Sequence, residues 1–209
     1  MILWAIAACA AGPEPVDPAV PVPVEAPGPV TPSEAERHCA NLRFRDNATV
    51  FDASAGWLVA HPDEALPVLV ARLDAGAPES VGILKVLPKI PGRAGVDALD
   101  RALAKGDELR VGYVASALAR HPDPEALEVL RRGVASPNRE VKNAALRGLG
   151  ERGDAAACPD VLGAVGDPDV NTRTYAVRSG LALGCVDADL RARLASDPSE
   201  QVRALLNAP

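Results

Sequence analysis

Aromatic residues are nearly missing from this 209-residue chain, where Phe, Trp and Tyr together make up 3%. A β-sandwich would have little to build with, because strands favour aromatic and β-branched side chains. A ligand-sized pocket with stacked rings and convergent polar groups is equally unexpected. Positive charge is not in excess either. The formal net charge is -6, the pI is about 5.1, and Lys and Arg are interleaved with acids. That balance gives no electrostatic reason to approach a phosphate backbone or an anionic lipid surface, so nucleic acid is excluded as an expected partner. No run of strict apolar and polar alternation marks a strand. There is no Ser–His–Asp set, no HExxH and no phosphate-binding Walker loop. The sequence therefore predicts no catalytic residue, no cofactor and no metal ligand set.

What is present is apolar volume of another kind. Hydrophobic residues make up 48% of the chain, mostly Leu, Val and Ala, the composition that closely packed helices need. From about Ala48 onward, apolar positions follow helical spacing in short blocks separated by Gly, Pro and Asp. Five blocks open on a comparable anchor: Leu66, Leu99, Leu127, Val161 and Leu190. The four steps from Leu66 to Leu190 average 31 residues, enough for two helices of about 10 to 12 residues and two tight turns. Partner helices are expected between the anchors at roughly 48–60, 79–87, 107–120, 138–150 and 169–183. Tyr113 and Tyr175 stand two repeat lengths apart in that set, and His61-Pro62-Asp63 recurs as His121-Pro122-Asp123. A Pro and an acid at equivalent helix entries suit the missing partners of the first N–H groups. The expected fold is an all-α solenoid of about five helix pairs.

Two segments carry a family likeness. SPNREVKNAALRGLG from Ser136 and DPSEQVRALL from Asp197 resemble the D-P-x-x-x-V-R-x-x-A-x-x-A-L-G helix opening of short HEAT repeats, the type also seen in phycobilisome lyase-like repeat proteins. The matching positions are Pro137, Val141, Ala144, Ala145, Leu149 and Gly150 in one copy, and Asp197, Pro198, Val202 and Arg203 in the other. Between them Asp167, Pro168 and Asp169 keep the turn, but Thr172 replaces the Val. The resemblance implies a fold and carries no catalytic residues with it. Stacked pairs bury one another's apolar faces and leave a curved surface suited to gripping another chain. The first pair, with Trp57, and the final partial helix near Val202 to Leu206 are expected to act as atypical end caps.

The N-terminus reads differently. Residues 1–9, MILWAIAAC, form an apolar run too short to span a bilayer. They resemble the lipobox of bacterial lipoproteins, with Cys9 as the acylated residue, although no Lys or Arg precedes the run. Eight prolines follow between Pro13 and Pro32, with three acids and no base, the composition of an extended, semi-rigid spacer. The division is a signal-like segment at 1–9, a linker and lead-in at 10–46, and a repeat domain at 47–209. The expected location is the cell envelope, with the lipid anchor as the sole membrane contact; a cytosolic chain is the alternative.

Several residues invite a reading as sites. Cys158 and Cys185 fall near turns on one edge of adjacent repeats, so they pair if the protein is exported and are small buried hydrophobes if it is not. Cys39, beside His38, is the odd thiol; one His and one Cys make a weak metal signal. GLGERG at 148–153 satisfies G-x-G-x-x-G, but its glycines are expected to close a helix as C-caps, and the dinucleotide fingerprint needs a strand before it. Arg152-Gly153-Asp154 matches an adhesion tripeptide by chance. His61 and His121 lie two repeats apart, too far to share a proton or an ion. If the anchor helices form the inner face, Arg72, Arg101, Arg131, Arg132, Arg191 and Arg193 are the candidate contacts to a partner, set against a reading of them as a solvated face. The expected function is non-enzymatic binding or scaffolding of another protein. The alternatives are an enzyme or accessory factor of the HEAT-like lyase kind acting on a prosthetic group, and a cytosolic adaptor.

Overall fold

The computed structural model describes residues 32–43 and 47–207; the lipobox-like Cys9 and nearly all of the proline-rich stretch lie outside them. Among the described residues there are twelve α-helices and no strand: α1 (Glu34–Ala40), α2 (Ala48–Ala60), α3 (Pro62–Asp74), α4 (Ser80–Val86), α5 (Arg93–Lys105), α6 (Val111–Arg120), α7 (Glu125–Val134), α8 (Arg139–Arg152), α9 (Cys158–Gly163), α10 (Val170–Ala182), α11 (Ala188–Leu194) and α12 (Glu200–Leu205). The five anchors fall on α3, α5, α7, α9 and α11, and the five partner segments are α2, α4, α6, α8 and α10. The chain from Pro32 onward is thus an α-solenoid of short helix pairs.

Local chemistry explains the boundaries. Ser33 and Glu36 form a reciprocal capping box at α1. Asn138, Asp169 and Asp187 each accept backbone N–H groups in the first turns of α8, α10 and α11. Pro62 opens α3, where its missing N–H costs nothing. At the other end, Gly106 and Gly153 close α5 and α8 in the left-handed region, at φ of 63° and 74°, where a side chain would be strained.

Leucines fill the core between the two layers of helices. Leu58, Leu69, Leu99, Leu118, Leu130, Leu146 and Leu149 are all fully buried, alongside Ala65, Ala98, Ala115, Ala117, Ala126 and Ala145. Of the five anchors, Leu99, Val161, Leu190 and Leu127 are buried, whereas Leu66 is only half-buried and Leu69, one turn on, takes its place.

The compact unit begins at Pro32, earlier than the expected boundary at residue 47. α1 packs on α2 and α3 and buries Ala35, Cys39 and Leu42 in the core. The N-terminal cap is accordingly α1, and Trp57 lies beneath it, stacked between the rings of His38 (4.6 Å) and His61 (4.1 Å).

Candidate binding face

The two layers are not equivalent. α6, α8 and α10 lie close together because small residues line their seams. A Cβ on Gly148 would stand 3.1 Å from the Ala115 carbonyl oxygen, and one on Gly150 would come within 3.0 Å of the Ser179 backbone. Ser179 also donates its hydroxyl hydrogen to the Leu146 carbonyl at 2.7 Å. Gly148 and Gly150 therefore sit inside α8 as points of close approach. Of the GLGERG glycines only Gly153 is a cap, a correction to the expectation that all of them close the helix.

The opposite layer is joined by longer side chains. Arg101 on α5 pairs with Asp74 at the end of α3 (2.7 Å), Arg132 on α7 with Asp100 on α5 (2.6 Å), and Arg131 with Asp160 on α9 (3.1 Å). A stack with one tightly spaced layer curves towards that layer. On that ground the layer of α6, α8 and α10 is the concave side, with α5, α7 and α9 opposite it. The anchor helices carry the clearer apolar stripe, whereas the partner helices α6, α8 and α10 write their close seam in Gly, Ala and Ser.

The candidate arginines all lie on the anchor helices α3, α5, α7 and α11. Arg101, Arg131 and Arg132 link successive convex helices. Arg72 pairs at 2.9 Å with Glu79, whose carboxylate is 1% exposed. Arg191 donates to the Leu206 carbonyl. Arg193 is exposed on α11. Five of the six are thus engaged within the chain.

A second ladder explains the repeated motif itself. Asp167 accepts from Lys142 of the preceding repeat at 2.9 Å, and Asp197 accepts both Nε and Nη2 of Arg173 at 2.9 and 3.2 Å. The same aspartates accept the N–H of the residue two positions on, Asp169 and Ser199. The first Asp of each D-P turn therefore fixes its own turn and grips the seventh position of the repeat before it. These charges hold Asp167 and Asp197 below the ordinary carboxylate range, with the hydrogen bond from Lys142 or Arg173 the main cause. Thr172, the departure from the motif, is buried where the Val would be and donates to Asn143 Oδ1 at 2.8 Å.

Open grooves run along the concave layer. One, about 840 Å³, lies between α2, α4 and α6, on a floor of Phe51, Ala55, Val59, Leu84 and Val86, with Lys85, Lys89, Tyr113 and Arg120 around it. A second, about 480 Å³, continues from Tyr113 and Ser116 to Leu109, Arg147 and Glu151. Another, about 430 Å³, lies between α10 and α12 beside Tyr175. Tyr113 is 49% exposed and Leu109 86%. Two large apolar side chains left open on adjoining positions of one face stand out in a chain with so few aromatics.

The model for the family described as HEAT repeats matches residues 97–182 and 134–207. Together these matches span more than half of the chain. The chain belongs to the HEAT-repeat family. Among solved structures, this HEAT-repeat chain is similar to one in the complex of CpcE and CpcF of phycocyanin lyase from Nostoc sp. PCC7120, at 23% identity over 89% of this chain and 79% of that one, with a TM-score of 0.46. No curated protein sequence matches it.

The cysteines divide by position in the HEAT stack. Cys158, at the start of α9, is bonded to Cys185, just after α10, with the Cα atoms 5.8 Å apart, within the span a disulfide bridges. Cys39 is free and buried. Burial pushes its thiol up to about 11, the Glu79 carboxylate adds to the rise, and Arg72 opposes it. His61 and His121 also part: His61 is exposed in the Trp57 stack, whereas His121 is 1% exposed and accepts the Asp123 N–H through Nδ1. Among the described residues no three of His, Cys, Asp and Glu gather as a metal-ligand set, and no helix is long and apolar enough to cross a membrane.

Proposed function

We propose that this HEAT-repeat chain binds another protein along its concave face, without itself carrying out a reaction. The observation that carries the reading is the pair Tyr113 and Leu109, which stay exposed on α6 and its entry turn and line adjoining grooves. The convex layer instead uses most of its arginines on neighbouring repeats.

The test is a photo-crosslinking amino acid placed at position 113 or, on the convex α11, at position 193. A partner joined from 113 and not from 193 supports the reading. Crosslinks from 193 alone would give binding to the other face.

We also place the chain in the cell envelope, tethered through Cys9. The Cys158–Cys185 bridge supports this, since disulfides persist in oxidising compartments. The intact mass of the protein from membrane and soluble fractions of its host decides it. A chain starting at acylated Cys9 is the expected result; a soluble chain retaining Met1, with its thiols reduced, would place it in the cytosol.

A further inference from the structure

The concave face carries a local charge imbalance that the rest of the molecule does not predict. The whole chain is acidic, with net charge -6. Around the groove between α2, α4 and α6 the balance is inverted: Lys89 and Arg120 stand there against one carboxylate, Asp52. The neighbouring groove has no such excess, since its Arg147 faces both Glu108 and Glu151 and is paired with Glu151 at 3.2 Å.

The two outer cations differ from most of those elsewhere. Many arginines of this chain are tied to a carboxylate of the same or the next repeat. Among the described residues, Lys89 and Arg120 form no ion pair, and both are exposed. Arg120 is held by its Nε, which donates to the Ser116 carbonyl at 3.0 Å. That bond spends one donor and leaves the guanidinium's outer edge available to a carboxylate.

The floor between these cations is apolar, and Tyr113 stands half-exposed at the boundary with the second groove. The surface thus offers an apolar trough with positive charge at its rim, open to solvent. A small molecule would be poorly enclosed there, whereas an extended or helical segment can lay alternate side chains into the trough and keep its charges at the rim.

We infer that the groove between α2, α4 and α6 takes an acidic segment of the partner protein, with Leu- or Phe-type side chains on the Phe51–Val59–Leu84 floor and carboxylates against Lys89 and Arg120. The inference rests on the binding function proposed above and names the chemistry of the segment bound. The charge contribution lies at the rim, so it sets selectivity and salt dependence more than depth of burial.

The probe is a fluorescein-labelled ten-residue peptide of alternating Glu and Leu, titrated by anisotropy into the full chain at low and moderate salt. A matched peptide with Lys in place of Glu is the comparison. The acidic peptide is expected to bind at least tenfold more tightly than the basic one, and to weaken as salt rises. In the double variant K89E/R120E its affinity should fall at least tenfold with helicity unchanged, and K89A/R120A should fall between that variant and the native protein. Arg193→Glu on the convex side should change it less than twofold.

Equal binding of the two peptides, or full retention in K89E/R120E, overturns the inference. A concentration-dependent dimer that K89E/R120E dissolves also overturns it, by giving the groove to a second copy. A partner that crosslinks from position 113 while the acidic peptide fails to bind leaves the concave-face reading standing and removes this one alone.

Discussion

The guanidinium of Arg173 donates through Nε and Nη2 to the two carboxylate oxygens of Asp197, which comes from the next D-P turn, and both side chains are nearly withdrawn from water, at 12% and 8% exposure. Lys142 and Asp167 repeat the arrangement one unit earlier. The pair is the reason that the motif's first and seventh positions are Asp and a base: they belong to each other across the repeat boundary.

Asp197→Asn should therefore weaken the C-terminal stack. The loss expected for charge-assisted bonds of this kind is about 1 to 3 kcal/mol in urea denaturation at pH 7. Asp197 has a folded pKa held below its unfolded value, so its contribution is fully present above about pH 4 and is lost as pH falls through the folded value. The gap between native protein and variant should consequently close in acid. A gap unchanged at pH 3 would mean that the Arg173 pairing is not its source.

Leu127 is 9% exposed on α7. Leu127→Asp would bury an unpaired carboxylate between helix layers, a change expected to cost several kcal/mol, on the order of 3 or more. Cooperative loss of helicity at a lower melting temperature is the expected result in circular dichroism. Unchanged melting would take Leu127 out of the core.

His121 is held below its ordinary value by burial, with Asp123 opposing that effect and Arg152 adding to it. The folded protein thus resists the proton that the unfolded chain accepts near pH 6.5. Stability from this group is complete above that value and falls as the pH drops below it, until the folded pKa is reached. Melting temperatures at pH 7.5 and 5.5 should differ less in His121→Asn than in the native protein. An identical slope in both would assign the acid sensitivity to other groups.

Cys158→Ser/Cys185→Ser removes a bridge closing 27 residues, worth about 3.5 kcal/mol by loop entropy. Cys39, buried and with its thiol pushed up to about 11, should stay unmodified when the folded chain is treated with iodoacetamide at pH 8, and react once it is unfolded. Peptide mass mapping reads both thiol states. Rapid alkylation of Cys39 in the folded state would show that α1 opens freely.

Much of the fold was legible because helix pairs announce themselves twice, through periodic Leu and Val and through punctuation by Pro, Asp and Gly. α1 was not legible: seven residues show too little periodicity, and its capping box became informative only once Cys39 and Leu42 were seen in the core. The close seam along α8 was missed for a related reason. Close approach is written in what residues lack, as at Gly148, Gly150 and Ala115, while an arginine draws notice whether it faces a partner or an aspartate of its own chain. Tyr113 was noticed for its repeat spacing, but nothing in the sequence says that it stays half-exposed, since burial depends on how far its neighbours reach.

The two faces of the stack respond to different agents. Methyl and methylene contacts against backbone, as at Gly148, are indifferent to ions, whereas Arg101–Asp74 and Arg132–Asp100 are about half exposed and are screened by salt. Added salt should therefore loosen the ties from α5 to α3 and α7 while leaving the seam of α6, α8 and α10 as it is.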